Sequence, residues 1–138
     1  MSRPEDLVAA YATAVDARDW DALGALFTED AVLLSPDPPR SREPVLEAVG
    51  QASIVATIQK VGAFDRTEHR VDATSWALAG HVATGSTTGE AHHVMLGADP
   101  HDWVWTVEYA DDAVLDGGRW RFARRALTVR AIEKRPVG

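Results

Sequence analysis

Apolar residues in the first third of the chain recur at helical spacing. Leu7, Tyr11, Ala14 and Val15 form an i, i+4, i+7, i+8 stripe, the pattern of a helix that buries one face. This predicts a helix from near Pro4 to Ala17. Ser2, Pro4, Glu5 and Asp6 suit its start, supplying a cap, a preset φ and acids at the positive end of the helix dipole. Asp19 fits the N-cap of a second helix that turns Trp20, Leu23, Leu26 and Phe27 toward a core. Ala31–Leu34 reads as a short strand, stopped by Ser35-Pro-Asp-Pro-Pro39, which can continue neither a helix nor a ladder. Ser41-Arg-Glu-Pro44 reads as a further helix entry. Val45, Leu46, Val49, Ile54, Val55 and Ile58 then mark a third helix to about Lys60, kinked at Gly50.

Beyond residue 66 the pattern becomes that of strands. Thr67–Leu78, His81–Leu96, Trp103–Ala110 and Arg119–Glu133 alternate or are β-branched, with turns at Ala79-Gly80, Gly97–Pro100 and Asp116–Gly118. Three helices followed by a meander of four long strands is an α+β layout rather than a βαβ one. In the Trp103 strand both faces are apolar, with Trp103, Trp105, Val107 and Tyr109 on one side and Val104 and Thr106 on the other. One side is then a pocket wall and the other needs a second cover. A second copy of the chain is the simplest cover, which implies a homo-oligomer, dimer or trimer. The acids of Asp111–Asp116 read as a solvated hairpin end.

Composition narrows the function classes. At 138 residues the chain reads as a single domain, 1–138. A hydrophobic share of 46% and a charged share of 25% are ordinary globular values. The net charge of −7 repels nucleic acid and anionic membranes, so neither is expected as a partner. The sequence has no cysteine, hence no disulfide framework and no thiolate nucleophile. It has no apolar run near the ~18 residues of a membrane span and a polar, acidic start. The expectation is a cytoplasmic protein.

The segment Leu7–Val32, two short helices broken at Asp16–Asp19 and running into a strand, resembles the opening of the NTF2-like superfamily and its SnoaL-like branch. Gly89-Glu-Ala-His-His-Val94, Tyr109-Ala-Asp111 and Gly118-Arg-Trp-Arg-Phe-Ala-Arg-Arg125 extend that resemblance over nearly the whole chain. It implies a cone in which three N-terminal helices lean on a curved, mostly antiparallel sheet and enclose one pocket. Such folds host dehydratases, a dehydrochlorinase, isomerases, cyclases and inert subunits, so function rests on the site.

The dehydratase and dehydrochlorinase members pair an aspartate closing the first helix with a histidine on the first long strand. Here these would be Asp16 and His69. A tyrosine five positions before the aspartate and an arginine late in the last strand complete the set as Tyr11 and Arg125, with Arg124 the rival arginine. The chemistry implied is proton abstraction beside an activated carbon followed by loss of a leaving group. His69 would be base, Asp16 its orienting partner, Tyr11 a donor to substrate oxygen, and Arg125 a stabiliser of negative charge. The resemblance implies no cofactor and no metal, and zinc-ligand spacing is absent apart from His92-His93. His92, Trp20 and Trp105 are candidate substrate contacts for a small hydrophobic or polycyclic ligand.

Strand parity bears on the histidines. A two-residue hairpin at Ala79-Gly80 puts Glu90 and His92 on the His69 face and His93 on the other, unless a bulge reverses them. Two sequence departures also matter. Ser35 stands where ketosteroid isomerases carry an aspartate base, and the first strand lacks the second tyrosine of scytalone dehydratase, the only other tyrosine being Tyr109. The preferred reading is a cofactor-free lyase. The alternatives are a ligand-binding or accessory subunit and a polyketide cyclase or isomerase.

Overall fold

The computed structural model describes residues 3–38 and 40–137. Helix α1 spans Pro4–Ala17, α2 Trp20–Gly24 and α3 Gln51–Ile58, the last followed by a 3-10 turn at Gln59–Ala63. Six strands accompany them: β1 Phe27–Asp37, β2 Ser41–Val49, β3 Arg66–Ala79, β4 Val82–Met95, β5 His101–Asp116 and β6 Arg119–Arg135. They form one curved, unclosed sheet in the order β2-β1-β6-β5-β4-β3. Among the described residues the only parallel pair is β1 with β6; the others are antiparallel. No helix among the described residues is long and apolar enough to cross a membrane.

Helix α1 starts with Pro4 in its first turn, and the Arg3 amide donates to the Asp6 carboxylate at 3.2 Å. Ser2, the expected cap, lies outside the described residues. The helix ends at Arg18 in the left-handed conformation (φ 56°). Asp19 then caps α2, accepting from the Ala22 amide at 3.1 Å. Leu7, Tyr11, Val15, Leu23, Phe27, Ile54 and Phe122 form the shared core of helices and sheet. Burying each such side chain contributes roughly 1.5–3 kcal/mol.

Two expectations fail in the segment between β1 and β3. The first strand runs on to Asp37 instead of stopping at Leu34, because Pro36 occupies a register shift between Ser35 and Asp37 where no ladder N–H is required. Pro39 lies outside the described residues. The helix expected from Ser41 is the edge strand β2, paired Leu33 to Ala48 and Ser35 to Leu46. The apolar residues that mimicked a helical stripe, Val45, Leu46 and Val49, are exposed. Helix α3 begins only after Gly50, whose φ of 88° ends the strand. Of the three helices, two precede the sheet and the third follows its first two strands.

Three of the four long strands lie where the pattern places them; the strand expected at Trp103–Ala110 runs on to Asp116, taking in the acids read as a hairpin end, and three bulges set which residues face inward. Asp72 is the extra residue of β3, and Ala123 and Arg130 those of β6. Opposite the β3 bulge stands Gly89, where a Cβ would come within 2.1 Å of the Arg70 carbonyl oxygen. Only glycine allows that approach.

Candidate active site

A chamber of about 230 Å³ opens between α1, β1, the end of α3 and the sheet. Its walls are largely apolar, with Leu33, Ile58, Phe64, Trp105, Val107 and Leu127 prominent. Tyr11, His69, His93 and Tyr109 bring polar groups to it. Lys60, Ser35 and Thr57 also line it.

Asp16 is the penultimate residue of α1, two before the left-handed Arg18, and its carboxylate meets β3 edge-on. Its Oδ2 accepts the His69 amide at 2.8 Å, and its Oδ1 accepts the Thr67 hydroxyl at 3.1 Å. The same Oδ1 lies 2.7 Å from His69 Nδ1. Burial works to raise the Asp16 pKa, but the bonds from the His69 ring, the His69 amide and Thr67 outweigh it and hold the carboxyl below its ordinary value. Asp16 is therefore ionised at neutral pH, and His69 Nδ1 carries the proton it donates. In the neutral form of the ring, Nε2 is then the lone-pair nitrogen; it has no protein partner among the described residues, and the ring lines the chamber.

Arg18 braces this corner. Its guanidinium donates to the carbonyls of Gly62, at 3.5 Å, and Phe64, tying the end of α1 to the segment that supplies Val61 and Phe64 to the wall.

The Asp72 bulge reverses the expected histidine parity. His69 pairs with Ala91 and Thr67 with His93, so His93 faces inward and His92 outward. The His93 Nδ1–H donates to the Trp103 carbonyl at 2.9 Å, and its ring lies 4.8 Å from that of Trp105 and 5.0 Å from that of Phe64. Burial lowers its pKa despite the Trp103 bond, so the ring is neutral and its Nε2 is an acceptor. His92 does not line the chamber. It is held on the outer face, with Nδ1 2.6 Å from Asp102 and Nε2 3.2 Å from Glu90.

The other expected residues divide. Tyr11 lines the chamber, its ring edge-on to that of His69 at 6.4 Å between centroids. Trp105 also lines it. Trp20 does not: it borders a separate open cleft with Gln51, Val55 and Arg121, because α2 turns its first residue toward α3. The bulge at Ala123 pairs Arg125 with inward-facing Asp111 and leaves Arg124 exposed. Arg125 is only 1% exposed but is not on the chamber wall. It lies behind the tyrosines, 3.7 Å from the Tyr109 ring centre and 4.2 Å from that of Tyr11. Asp111, expected in a solvated hairpin end, is buried 3.6 Å from the Arg125 Nε. Sequence reasoning missed Tyr109 and His93 as wall residues; a glycine at position 89, inside a strand pattern, was the available sign of the bulge.

Comparison with known proteins fits this architecture. The SnoaL-like domain model matches residues 5–126. The chain belongs to the SnoaL-like family. No curated protein matches it significantly. Among solved structures, the SnoaL-like chain is similar to a candidate scytalone dehydratase from Novosphingobium aromaticivorans, with 23% identity over 97% of this chain and 90% of that one and a TM-score of 0.81. It is also similar to the Kfla4162 protein from Kribbella flavida, at 20% identity over 94% and 89% and a TM-score of 0.81. A third is the hexachlorocyclohexane dehydrochlorinase LinA-type3 from Novosphingobium barchaimii, at 12% identity over 94% and 86% with a TM-score of 0.77. At these identities the likeness is one of fold.

Proposed function

We propose that this SnoaL-like domain is a cofactor-independent lyase that eliminates water, or another small leaving group, from a small hydrophobic carbonyl compound. The observation that carries the reading is the 2.7 Å pairing of Asp16 with His69 Nδ1 beside an apolar chamber. A base needs a lone pair, a fixed tautomer and a neighbour that stabilises its cation. Asp16 supplies the last two, and its low pKa keeps it charged while His69 takes a proton.

The reaction balances without an external reagent. His69 Nε2 removes a proton from the carbon beside the carbonyl, and the electron pair moves onto the carbonyl oxygen. The Tyr11 hydroxyl donates to that oxygen; burial raises its pKa, so it stays protonated. The enolate then forms the C=C bond and expels the β-hydroxyl, which leaves as water with the proton returned by His69. Neutral His93, an acceptor at Nε2, suits a bound hydroxyl. The apolar walls favour an uncharged ring system.

The test is turnover of a panel of cyclic β-hydroxy ketones, read as growth of enone absorbance. The expected result is an activity lost in His69→Ala and strongly reduced in Asp16→Asn. An elimination activity indifferent to both substitutions would overturn the assignment.

A further inference from the structure

The pocket contains a second phenol that the sequence did not single out. Tyr11 and Tyr109 both line the chamber, their rings meeting edge-on at 6.1 Å between centroids. Neither phenol oxygen has a protein hydrogen-bond partner among the described residues, and each residue, 7% exposed, borders the chamber. A buried tyrosine ordinarily finds a partner for its hydroxyl; two neighbours without one point to an oxygen that arrives with a ligand.

Behind both rings lies Arg125. Its guanidinium carbon is 3.7 Å from the Tyr109 centroid, 4.2 Å from that of Tyr11 and 4.5 Å from that of Phe122. Its Nε and Nη1 make no hydrogen bond among the described residues, and neither do the oxygens of Asp111, its ionic neighbour. An ion pair this buried and this poorly bonded is a weak device for stability, since apolar residues of similar volume commonly do as well. Its evident engagement is with the two ring faces.

We propose that Tyr109 is a second oxygen-binding residue of the chamber, that it holds one anionic oxygen together with Tyr11, and that Arg125 is a positioning residue acting through both rings. The substrate oxygen expected there is an enolate or phenolate, planar and conjugated, held by two neutral donors. Arg125 keeps the ring faces fixed and draws electron density from them, which makes each O–H a better donor to an anion. This assignment rests on the elimination reading for its place in the reaction but not for its test.

The test uses 4-nitrophenol, whose phenolate band reports the charge on its oxygen. It is bound to the His69→Gln variant so that the imidazole cannot take the proton. The expected result is a bound probe whose pKa is lower than in solution. Tyr109→Phe and Tyr11→Phe should each weaken phenolate binding about ten- to hundredfold, the loss of a bond to a charged oxygen. The double variant Arg125→Met/Asp111→Leu should weaken it about three- to tenfold and raise the bound probe's pKa, with an unchanged or higher urea midpoint. Phenolate binding to Tyr109→Phe at parental strength, or a bound probe titrating as in solution, would overturn the pair. An unchanged probe spectrum in the double variant would overturn the role of Arg125. Turnover in His69 variants decides the elimination reading separately, so either can fail while the other stands.

Discussion

Two histidine–aspartate pairs sit on opposite faces of the same sheet. Inside, His69 Nδ1 lies 2.7 Å from Asp16; outside, His92 Nδ1 lies 2.6 Å from Asp102. By distance the two are interchangeable, and both histidines are largely buried. The difference lies at the second nitrogen. His92 Nε2 faces Glu90 at 3.2 Å, whereas His69 Nε2 has no protein partner among the described residues and its ring borders an apolar chamber. A carboxylate beside an imidazole therefore does not by itself tell the two pairs apart. The outer pair, whose Asp102 also accepts the His93 amide at 3.1 Å, joins β4 to β5; the inner pair leaves one ring nitrogen without a protein partner among the described residues.

The largest test of that contrast is a matched pair of substitutions. His69→Gln should lower turnover of an elimination substrate by about 10²- to 10⁴-fold, the contribution of a positioned general base. His92→Gln should leave kcat within about twofold of the parent, because the ring touches no part of the chamber and surface-facing changes act through stability. Equal losses in both variants would break the distinction.

Next in size is a pH effect that separates bonded from unbonded carboxylates. Asp16, with three donors, is held below its ordinary pKa. Asp111 has no hydrogen bond among the described residues, and burial pushes it up to about 6, Arg125 opposing and Asp112 adding to the rise. Between 3.8 and about 6 the folded state holds a proton at Asp111 that the unfolded state has released. Stability should then fall as pH rises through that window, by up to about 3 kcal/mol. Asp16 contributes in the opposite sense, losing stabilisation only as pH drops below the ordinary carboxylate range. Urea midpoints measured from pH 4 to 7 check this, and Asp111→Asn should flatten the curve between about 4 and 6.

Asp102→Asn should act on stability alone. It weakens two bonds on the outer face and should lower the unfolding free energy by about 1–3 kcal/mol. Turnover per folded molecule should stay near the parental value. Asp16→Asn should show the reverse balance, with the greater loss in kcat.

Much of the fold could be read from the residues because local and tertiary signals agree there. Helix α1 follows its Leu7–Val15 stripe, Asp19 caps α2, and the glycines at 80, 117 and 118 turn the hairpins with φ of 64°, 58° and 81°. Edge strand β2 was hidden because its apolar residues serve no core stripe and the prolines of Ser35–Pro39 read as a stop rather than as the approach to a hairpin. The faces of His92 and His93 were hidden because the Asp72 bulge reverses every residue after it. That bulge depends on what Gly89 permits across the ladder, not on β3 itself. The inner pair was legible through family resemblance, whereas the place of Arg125 behind the tyrosines depends on the Ala123 bulge.

The smallest effect concerns what distinguishes Asp16 from Asp102 once both hold a histidine. Asp16 has one donor more, the Thr67 hydroxyl at 3.1 Å on the same Oδ1 that faces the His69 ring. Thr67→Val keeps the β-branched shape on β3 and deletes only that donor. Oδ1 then relies on the imidazole alone, and the Asp16 pKa should move up toward its ordinary value. The bond is worth about 1 kcal/mol net, so kcat should fall a few-fold with KM little changed, since Thr67 does not line the chamber. The titration of the Asp16 carboxyl carbon by NMR checks the cause directly. An upward shift accompanied by the loss in kcat means the hydroxyl tunes the partner of the base. A loss in kcat with the Asp16 titration unmoved would mean that Thr67 acts by packing, and that the inner aspartate needs no more help than the outer one.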